Sequence, residues 1–322
     1  MVARKIEDSE IVEEWRHDPS TTRIAKKYGM ALRTLQTRIA NLRLNAAPLQ
    51  SPDARSPAYR EGEIHRHREE YSPRLAVRVD DGCVLIGSDA HYIPGVRTTA
   101  QRYFERLCSE LKPKVVIMNG DLFDGAAVSR WPRIGWEQRP TVKQELAAVD
   151  ENLTAIEKAV PSAAKIWCLG NHDARYELRL AQAAPEYEGV AGFTLKEHFP
   201  LWRPCWSIWI NDSTVIKHRF KSGVHAAYNG TVHAGKTLIH GHLHSLKVYP
   251  FTDYNGTRYG VDAGTLAEPY GGAFEGYMED NPRSWRSGFI VLTFHKGRLL
   301  IPEMAAVFGE NEVEFRGKVH TV

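Results

Sequence analysis

The sequence predicts an α/β protein with a small all-α unit at its amino terminus. Two observations favour this fold class. From about residue 75 onward, short apolar runs typical of strands alternate with longer amphipathic runs typical of helices, as in a layered α/β domain. Several strand-like runs also end in carboxylate, amide or imidazole side chains, and open α/β sheets bind their ligands at that end of their strands.

The overall composition is that of a globular protein. The chain has 322 residues, 43% of them hydrophobic, which is enough for one large core and a small additional domain. Its 42 Lys and Arg nearly balance 39 Asp and Glu, so any nucleic-acid-binding surface has to be local.

We recognise no signal peptide and no apolar run that would span a bilayer, and the four widely spaced cysteines fit buried thiols. We therefore expect a cytoplasmic protein that does not bind membranes.

Residues 1–45 form the predicted all-α unit. Its first helix carries apolar residues on one face and should end at Pro19. Ser20 and Thr21 can cap a second helix, and Gly29 can adopt the left-handed conformation that ends it. These signals predict two short helices that are separated by a tight turn.

A third predicted helix places Leu35, Ile39 and Leu42 on one face. The side chains left to point outward are Arg33, Thr34, Gln36, Thr37 and Arg38. The three helices resemble a helix-turn-helix DNA-binding domain of transposases, resolvases and phage regulators. From residue 20 to 45 there are six Lys or Arg and no acidic residue, which suits contact with phosphates. We expect the outward side chains to bind DNA; the alternative is a small basic three-helix cap that binds another protein or nothing.

The rest of the chain divides into a linker and a large domain. Residues 46–74 are rich in Pro, Ser, Arg and Glu and poor in large aliphatic residues, which predicts a linker. Residues 75–322 form the α/β domain, with helices predicted at 98–111 and 142–160 to cover its sheet. Strand-like runs dominate the last third of the chain.

Five short motifs with metal-binding side chains occur in this large domain. They are Asp89-Ala90-His91, Gly120-Asp121-Leu122-Phe123-Asp124, Gly170-Asn171-His172-Asp173, His218, and Gly241-His242-Leu243-His244. Their mixed oxygen and imidazole donors suit manganese, iron or zinc better than calcium. In this order the motifs closely resemble the signature of the calcineurin-like metallophosphoesterase superfamily. Each motif alone is weak, but all five in the right order are highly specific.

The resemblance implies a four-layer αββα sandwich that holds two divalent metal ions, with Mn as the expected metal and Fe or Zn as alternatives. The ligands that it implies are Asp89, His91 and His244 for the first ion, Asn171, His218 and His242 for the second, and Asp121 as the bridge between them. The Asp-x-His and His-x-His spacings suit ligands because alternate residues of an extended segment point to one side. His218 is preferred to His225 and His233 because it ends a strand-like run.

The resemblance also implies roles for residues around the metals. His172 corresponds to the family's histidine that binds no metal and either protonates the leaving oxygen or stabilises charge on the phosphoryl group. Asp173 is expected to orient its ring and raise its basicity. Asp124 is expected to support the Asp121 loop, and Arg175 to contact the phosphate. Such a centre hydrolyses phosphate esters by in-line attack.

The function predicted from the sequence is a two-metal phosphodiesterase, with DNA as the expected substrate. The basic and aromatic segment from residue 129 to 139 could contact a nucleic-acid strand, or be an ordinary loop. Asp124-Gly125-Ala126 departs from the Arg-Gly continuation of serine/threonine phosphatases, which counts against a protein phosphatase. The layout also resembles phosphoesterases encoded by phages and prophages.

Two other functions stay open at this point. One is a small-molecule phosphodiesterase or phosphatase, for instance for cyclic nucleotides, whose helical domain serves assembly. The other is a DNA-binding regulator with a degenerate phosphoesterase domain. The sequence gives no oligomeric state.

Overall fold

The computed structural model describes residues 6–17, 20–45, 71–130, 138–269, 274, 281 and 283–322. The chain divides into two compact units, Met1–Glu69 and Glu70–Val322. Pro19, most of the predicted linker and the aromatic part of the segment after residue 129 lie outside the described residues. The predicted domain boundaries therefore stay predictions.

Three helices make up the described part of the first unit. They are α1 (Asp8–His17), α2 (Thr21–Tyr28) and α3 (Leu32–Asn45). Ser20 caps α2 by accepting a hydrogen bond from the backbone N–H of Arg23, and Gly29 ends the helix at a φ of +61°. Both signals were predicted from the sequence. Leu35 and Ile39 of α3 are buried in one apolar cluster with residues of α1 and α2, so the unit has its own core.

Two β-sheets form the centre of the second unit. Their strands are β1 (Leu75–Val77), β2 (Gly82–Gly87), β3 (Val115–Met118), β4 (Ala164–Cys168), β5 (Arg203–Cys205), β6 (Ile208–Ile210), β7 (Thr214–Lys217), β8 (Thr237–His240), β9 (Lys247–Asp253), β10 (Gly256–Asp262), β11 (Gly288–His295), β12 (Arg298–Leu299), β13 (Glu303–Gly309), β14 (Glu312–Phe315) and β15 (Lys318–Thr321). One sheet has the order β15-β14-β13-β11-β2-β3-β4-β5, with β12 beside β11. The other has the order β1-β6-β7-β8-β10-β9.

Helices cover the outer faces of these sheets. The helices are α4 (Thr99–Leu111), α5 (Val142–Ala159), α6 (Ala174–Ala183), α7 (Leu195–His198) and α8 (Ala226–Ala234), with 3₁₀ turns at Ala126–Val128 and Pro185–Tyr187. Thr98 and Thr141 cap α4 and α5 in capping boxes, so both helices begin where the sequence predicts. None of the described helices combines the length and apolar character that a bilayer crossing requires.

Alternating side chains along the central strands separate two buried layers. Leu85 of β2 lies in the apolar cluster that includes α4 and α5, whereas Val84 and Ile86 lie in the cluster between the two sheets. On the far side, α8 contacts β8, β9 and β10 of the second sheet. The order of helices, sheet, sheet and helix confirms the predicted α/β fold class and its four-layer αββα architecture.

The strand directions bring the metal-type motifs to one edge of the sandwich. Strands β2, β3 and β4 are parallel neighbours in the first sheet, and β7 and β8 are parallel neighbours in the second. Each of these five strands is followed by one of the five motifs. Because the carboxyl ends of parallel strands meet at one edge, distant parts of the sequence converge there.

The contact between α8 and β10 depends on a glycine and can be tested. We expect Gly260→Ala to lower the free energy of unfolding by about 1–3 kcal/mol. A Cβ at this position would lie 2.0 Å from the carbonyl oxygen of Ala227 in α8, so the helix would have to move. Urea unfolding of the full chain measures the change. Gly309→Ala is the control, because its Cβ would meet only the flexible carboxylate of Glu312 at 3.1 Å. Equal unfolding free energies for the two variants would contradict this view of the packing.

Candidate metal centre

The first cluster of metal-type side chains consists of Asp89, His91 and His244. All three are buried, and one ligand atom from each lies within 4.8 Å of the others. His244 Nε2 is 3.0 Å from Asp89 Oδ1. His91 Nε2 and His244 Nδ1 are buried and have no hydrogen-bond partner among the described residues. Buried ring nitrogens without a hydrogen-bond partner are rare, so His91 Nε2 and His244 Nδ1 are candidates to bind a metal ion.

The second cluster consists of Asp121, His218 and His242. His218 Nε2 lies 3.0 Å from Asp121 Oδ2 and 3.9 Å from Asp89 Oδ1, so the second cluster adjoins the first. The other ring nitrogen of His218 lies 2.7 Å from the carbonyl oxygen of Asn119, which orients Nε2 toward the two carboxylates. The backbone N–H of His242 donates to both carboxylate oxygens of Asp89, which joins the two sheets at this point.

The turn after β4 passes directly beside Asp121. A Cβ on Gly170 would lie 2.1 Å from Asp121 Oδ1, and the backbone N–H of His172 donates to the same oxygen at 2.8 Å. Between these two residues, Asn171 has a buried Oδ1 for which the described residues offer no hydrogen-bond donor. The loops therefore approach so closely that position 170 has no room for a side chain.

Electrostatics favour a cation at this place. Burial raises the pKa of Asp121, but the facing imidazoles, above all His218, outweigh burial and hold that pKa well below its ordinary value. Burial likewise opposes ionisation of Asp89, yet His218 and His244 lower its pKa to about 2. Burial lowers the pKa of His218, while Asp121 and Asp89 raise it to about 10. Two ionised carboxylates buried side by side are costly without positive charge. With the partnerless nitrogen and amide oxygen atoms, this donor set fits two divalent cations of the manganese, iron or zinc type.

The backbone at the clusters differs from the extended segments that were predicted. Five residues adopt left-handed φ angles: Asp89 (51°), His91 (39°), Asp121 (53°), His242 (71°) and His244 (57°). His242 and His244 belong to different clusters, and Asp89 and His91 belong to one cluster, as the resemblance implied. The alternation rule does not explain this arrangement, because it holds only for extended backbone. Left-handed non-glycine residues are uncommon and concentrate at functional sites.

Asp124 joins His91 of the first cluster to His172, which belongs to neither cluster. Its Oδ1 lies 2.9 Å from His91 Nδ1 and 2.8 Å from His172 Nδ1. The three side chains also have the spacing of a metal site. We interpret them as a hydrogen-bonded group, because one carboxylate that accepts from both ring nitrogens satisfies them without an ion. The orienting role expected of Asp173 therefore falls to Asp124.

Asp173 has a different role from the predicted one. Its carboxylate accepts hydrogen bonds from the backbone N–H groups of Asp121, Leu122, Phe123 and Gly170 and from the indole N–H of Trp167. Asp173 is fully buried, and none of these five contacts involves His172. The prediction was wrong because the side chain points inward, where it holds the loops after β3 and β4 together.

The two ring nitrogens of His172 have different partners. A carboxylate can only accept and a guanidinium can only donate, so Nδ1 carries a proton toward Asp124 and Nε2 accepts from Arg175. Arg175 Nη2 lies 3.0 Å from this Nε2, and Arg175 Nη1 donates to the Asp124 carbonyl oxygen at 2.8 Å. Burial lowers the pKa of His172, but Asp124 and Asp121 raise it above its ordinary value. The predicted phosphate contact, Arg175, thus lies beside the nitrogen expected to transfer a proton.

Sequence reasoning missed three residues near the centre. Glu145 of α5 is buried and accepts the Ala126 backbone N–H at 3.0 Å, and burial raises its pKa to about 7. Phe274 and Trp285 place their rings 5.4 and 4.5 Å from that of His244. Glu145 looks like a surface acid in the first turn of a helix, and the two aromatic residues belong to no motif. Nothing in the sequence distinguished them.

The predicted DNA contacts of the helical unit divide into two groups. Arg33, Thr34, Gln36 and Thr37 are exposed on α3. Arg38 does not project freely as predicted, because its guanidinium donates to the Asp8 carboxylate at 2.9 Å and to the Ile6 carbonyl at 3.0 Å.

Part of the positive charge of this unit is neutralised by Glu14. Its carboxylate pairs with Lys27 and, at 2.8 Å, with Arg23. Lys27 and Arg23 together lower the pKa of Glu14 to about 2. Counting charges from residue 20 onward missed this effect, because the neutralising acid lies on α1.

Comparison with known proteins identifies the family. Residues 84–262, more than half of the chain, match the family model described as Calcineurin-like phosphoesterase. The chain belongs to this family. The matched region of this phosphoesterase contains both clusters and His172. No significant match was found among the curated proteins.

Two solved structures are similar to this phosphoesterase. Vps29 of Chaetomium thermophilum has 11% sequence identity and a TM-score of 0.39, and the match covers 74% of this chain and 98% of that one. Yfce, a phosphoesterase from E. coli, has 13% identity and a TM-score of 0.31, with 68% and 97% of the two chains covered.

The close approach at Gly170 leads to a test of the centre. We expect Gly170→Ala to weaken Mn²⁺ binding about 10- to 100-fold, since the added Cβ would displace the Asp121 carboxylate. Isothermal titration calorimetry with Mn²⁺ measures the affinity, and circular dichroism reports whether the fold is intact. Gly309→Ala, far along the chain in β13, should bind Mn²⁺ like the unmodified protein. Unchanged affinity in a folded Gly170→Ala variant would count against Asp121 as a ligand.

Proposed function

We propose that this protein is a phosphodiesterase that uses two divalent metal ions and acts on DNA. The observation that carries the proposal is the pair of adjoining clusters, in which several buried ring nitrogens, among them His91 Nε2 and His244 Nδ1, lack hydrogen-bond partners among the described residues, next to Nε2 of His172. The proposed ligands are Asp89, His91 and His244 for one ion, Asn171, His218 and His242 for the other, and Asp121 between them. When bound, the ions would supply an activated water and neutralise charge on the phosphoryl oxygens.

The residues around the ions have separate roles in the proposed reaction. In its doubly protonated form, which the raised pKa of His172 favours, His172 donates a proton from Nε2 to the leaving oxygen, and Asp124 keeps that ring in position through Nδ1. Arg175 lies 3.0 Å from Nε2, where a guanidinium can also contact a phosphate oxygen. Asp173 contributes by holding the backbone of the Asp121 loop, without contact to the substrate.

Removing His172 separates proton transfer from metal binding. We expect His172→Ala to lower kcat for bis(p-nitrophenyl) phosphate about 10²- to 10⁴-fold in the presence of Mn²⁺. The metal content, measured by inductively coupled plasma mass spectrometry, should equal that of the unmodified protein, because His172 is a ligand of neither ion. Loss of both metal and activity would instead place His172 among the ligands.

DNA is the proposed substrate because α3 presents a polar and basic face. Arg33 is exposed, has no ion-pair partner in the described part of the chain, and is followed by three exposed polar side chains at 34, 36 and 37. His242 at the edge of the metal centre is also exposed, which suits a large substrate. A screen with single-stranded DNA, duplex DNA, RNA, cyclic nucleotides and a generic diester tests this choice. Turnover of cyclic nucleotides alone would favour the small-molecule alternative.

Arg33 offers a direct test of DNA binding. We expect Arg33→Ala to weaken duplex binding and to reduce the slope of log K against log salt concentration by about one, since one phosphate contact is lost. Fluorescence anisotropy at several salt concentrations measures both quantities. Arg298→Ala, which removes an exposed arginine on β12, is the matched control and should leave the slope unchanged. Arg38→Ala is not equivalent, because it also breaks the contact with Asp8. An unchanged slope for Arg33→Ala would argue against α3 as the DNA-binding helix.

A further inference from the structure

A second basic region lies within the catalytic unit, in the chain around β7, α8 and β8. Residues 213–252 contain no Asp or Glu, although about one residue in eight of the whole chain is acidic. The same stretch has five Lys or Arg. An acid-free run of this length gives one part of the surface a local positive charge, while the whole protein stays near neutral.

An exposed aromatic ring lies in this basic region. Phe220 is 36% exposed, and the ammonium groups of Lys217 and Lys221 lie 6.0 and 5.9 Å from the centre of its ring. The ring also packs against α8: the His233 ring is 5.8 Å away, and a Cβ on Gly230 would be 3.6 Å from it. The helix therefore holds Phe220 in place and leaves part of its surface open to a ligand.

This ring is close to the metal centre. Phe220 follows the proposed ligand His218 by two residues, which limits the distance between their Cα atoms to about 7 Å. Arg219 between them is exposed and acts electrostatically on His242 of the second cluster. Lys217, Arg219 and Lys221 have no ion-pair partner among the residues that the structure describes.

We propose that Phe220 stacks on a base of a single nucleic-acid strand next to the scissile phosphate, and that Lys217, Arg219 and Lys221 bind the neighbouring phosphates. This inference rests on the proposed phosphodiesterase function and specifies its substrate as an unpaired strand. Stacking on an aromatic side chain requires a base that is free of its partner strand. A small nucleotide would place its phosphate at the metals and would leave Lys217, Arg219 and Lys221 without a phosphate to bind.

The test compares two substrates in the full-length protein with Mn²⁺. For the unmodified chain and for Phe220→Ala, kcat/KM is measured with a fluorescent single-stranded oligonucleotide and with bis(p-nitrophenyl) phosphate. We expect the ratio of the oligonucleotide value to the diester value to fall about tenfold in Phe220→Ala and to recover in Phe220→Tyr, which keeps an aromatic ring. Lys217→Ala combined with Lys221→Ala should reduce the salt slope of oligonucleotide binding by about 1.4.

Tyr254→Ala provides the matched control. Tyr254 is a fully exposed aromatic residue in the turn between β9 and β10, at the end of β10 away from the metal centre, so its loss should not change the ratio. Thermal unfolding of Phe220→Ala checks that α8 is still folded.

The possible outcomes separate the two proposals. If the unmodified protein hydrolyses neither substrate, the proposed function fails and this inference fails with it. If it hydrolyses the diester but not the oligonucleotide, or if folded Phe220→Ala keeps the original ratio, the strand-binding role of Phe220 is overturned while phosphodiesterase activity stands.

Discussion

The buried carboxylate of Asp173 is the interaction on which the metal centre depends. It accepts hydrogen bonds from three consecutive backbone N–H groups after β3 and from the glycine that begins the turn after β4. Hydrogen bonds to an ionised acceptor are stronger than neutral ones, and burial removes the competition from water. One side chain therefore fixes the distance between two loops that are about fifty residues apart in sequence. Asp121 lies directly against the turn that carries Asn171 because Asp173 joins these loops.

The centre also concentrates features that destabilise a fold. Two carboxylates are buried side by side, and five residues of the clusters have left-handed backbone. Each feature costs free energy, and the large apolar layers on both sides of the nine-stranded sheet offset that cost. A cation at the clusters would lower the electrostatic part of the cost. The side chains of the two clusters therefore fit bound metal ions, and the same side chains suit the phosphoester hydrolysis expected of the family.

The distribution of charge is more local than the composition indicates. In the helical unit, acids on α1 neutralise Arg23, Lys27 and Arg38, so its free positive charge is smaller than the count of basic residues. In the catalytic unit, the acid-free stretch around β7, α8 and β8 has cations beside an exposed ring. Under the two proposals, each unit would offer a nucleic acid a surface of its own.

The sequence by itself determined the local features and the chemical type of the centre. Helix caps such as Ser20 and Thr98, and the ends of buried strands, depend on neighbouring residues, and the ordered motifs resembled the family that the match over residues 84–262 identifies. Only the tertiary structure decided which groups meet. It gave the motif residues left-handed instead of extended backbone, and it gave Asp124 the contact with His172 that had been assigned to Asp173. The reason is physical: spacing along a chain defines direction only while the backbone is regular, and these residues lie in irregular loops. Their partners come from segments 33 to 155 residues away, and those segments meet through strand pairing within one sheet and through the packing of the two sheets.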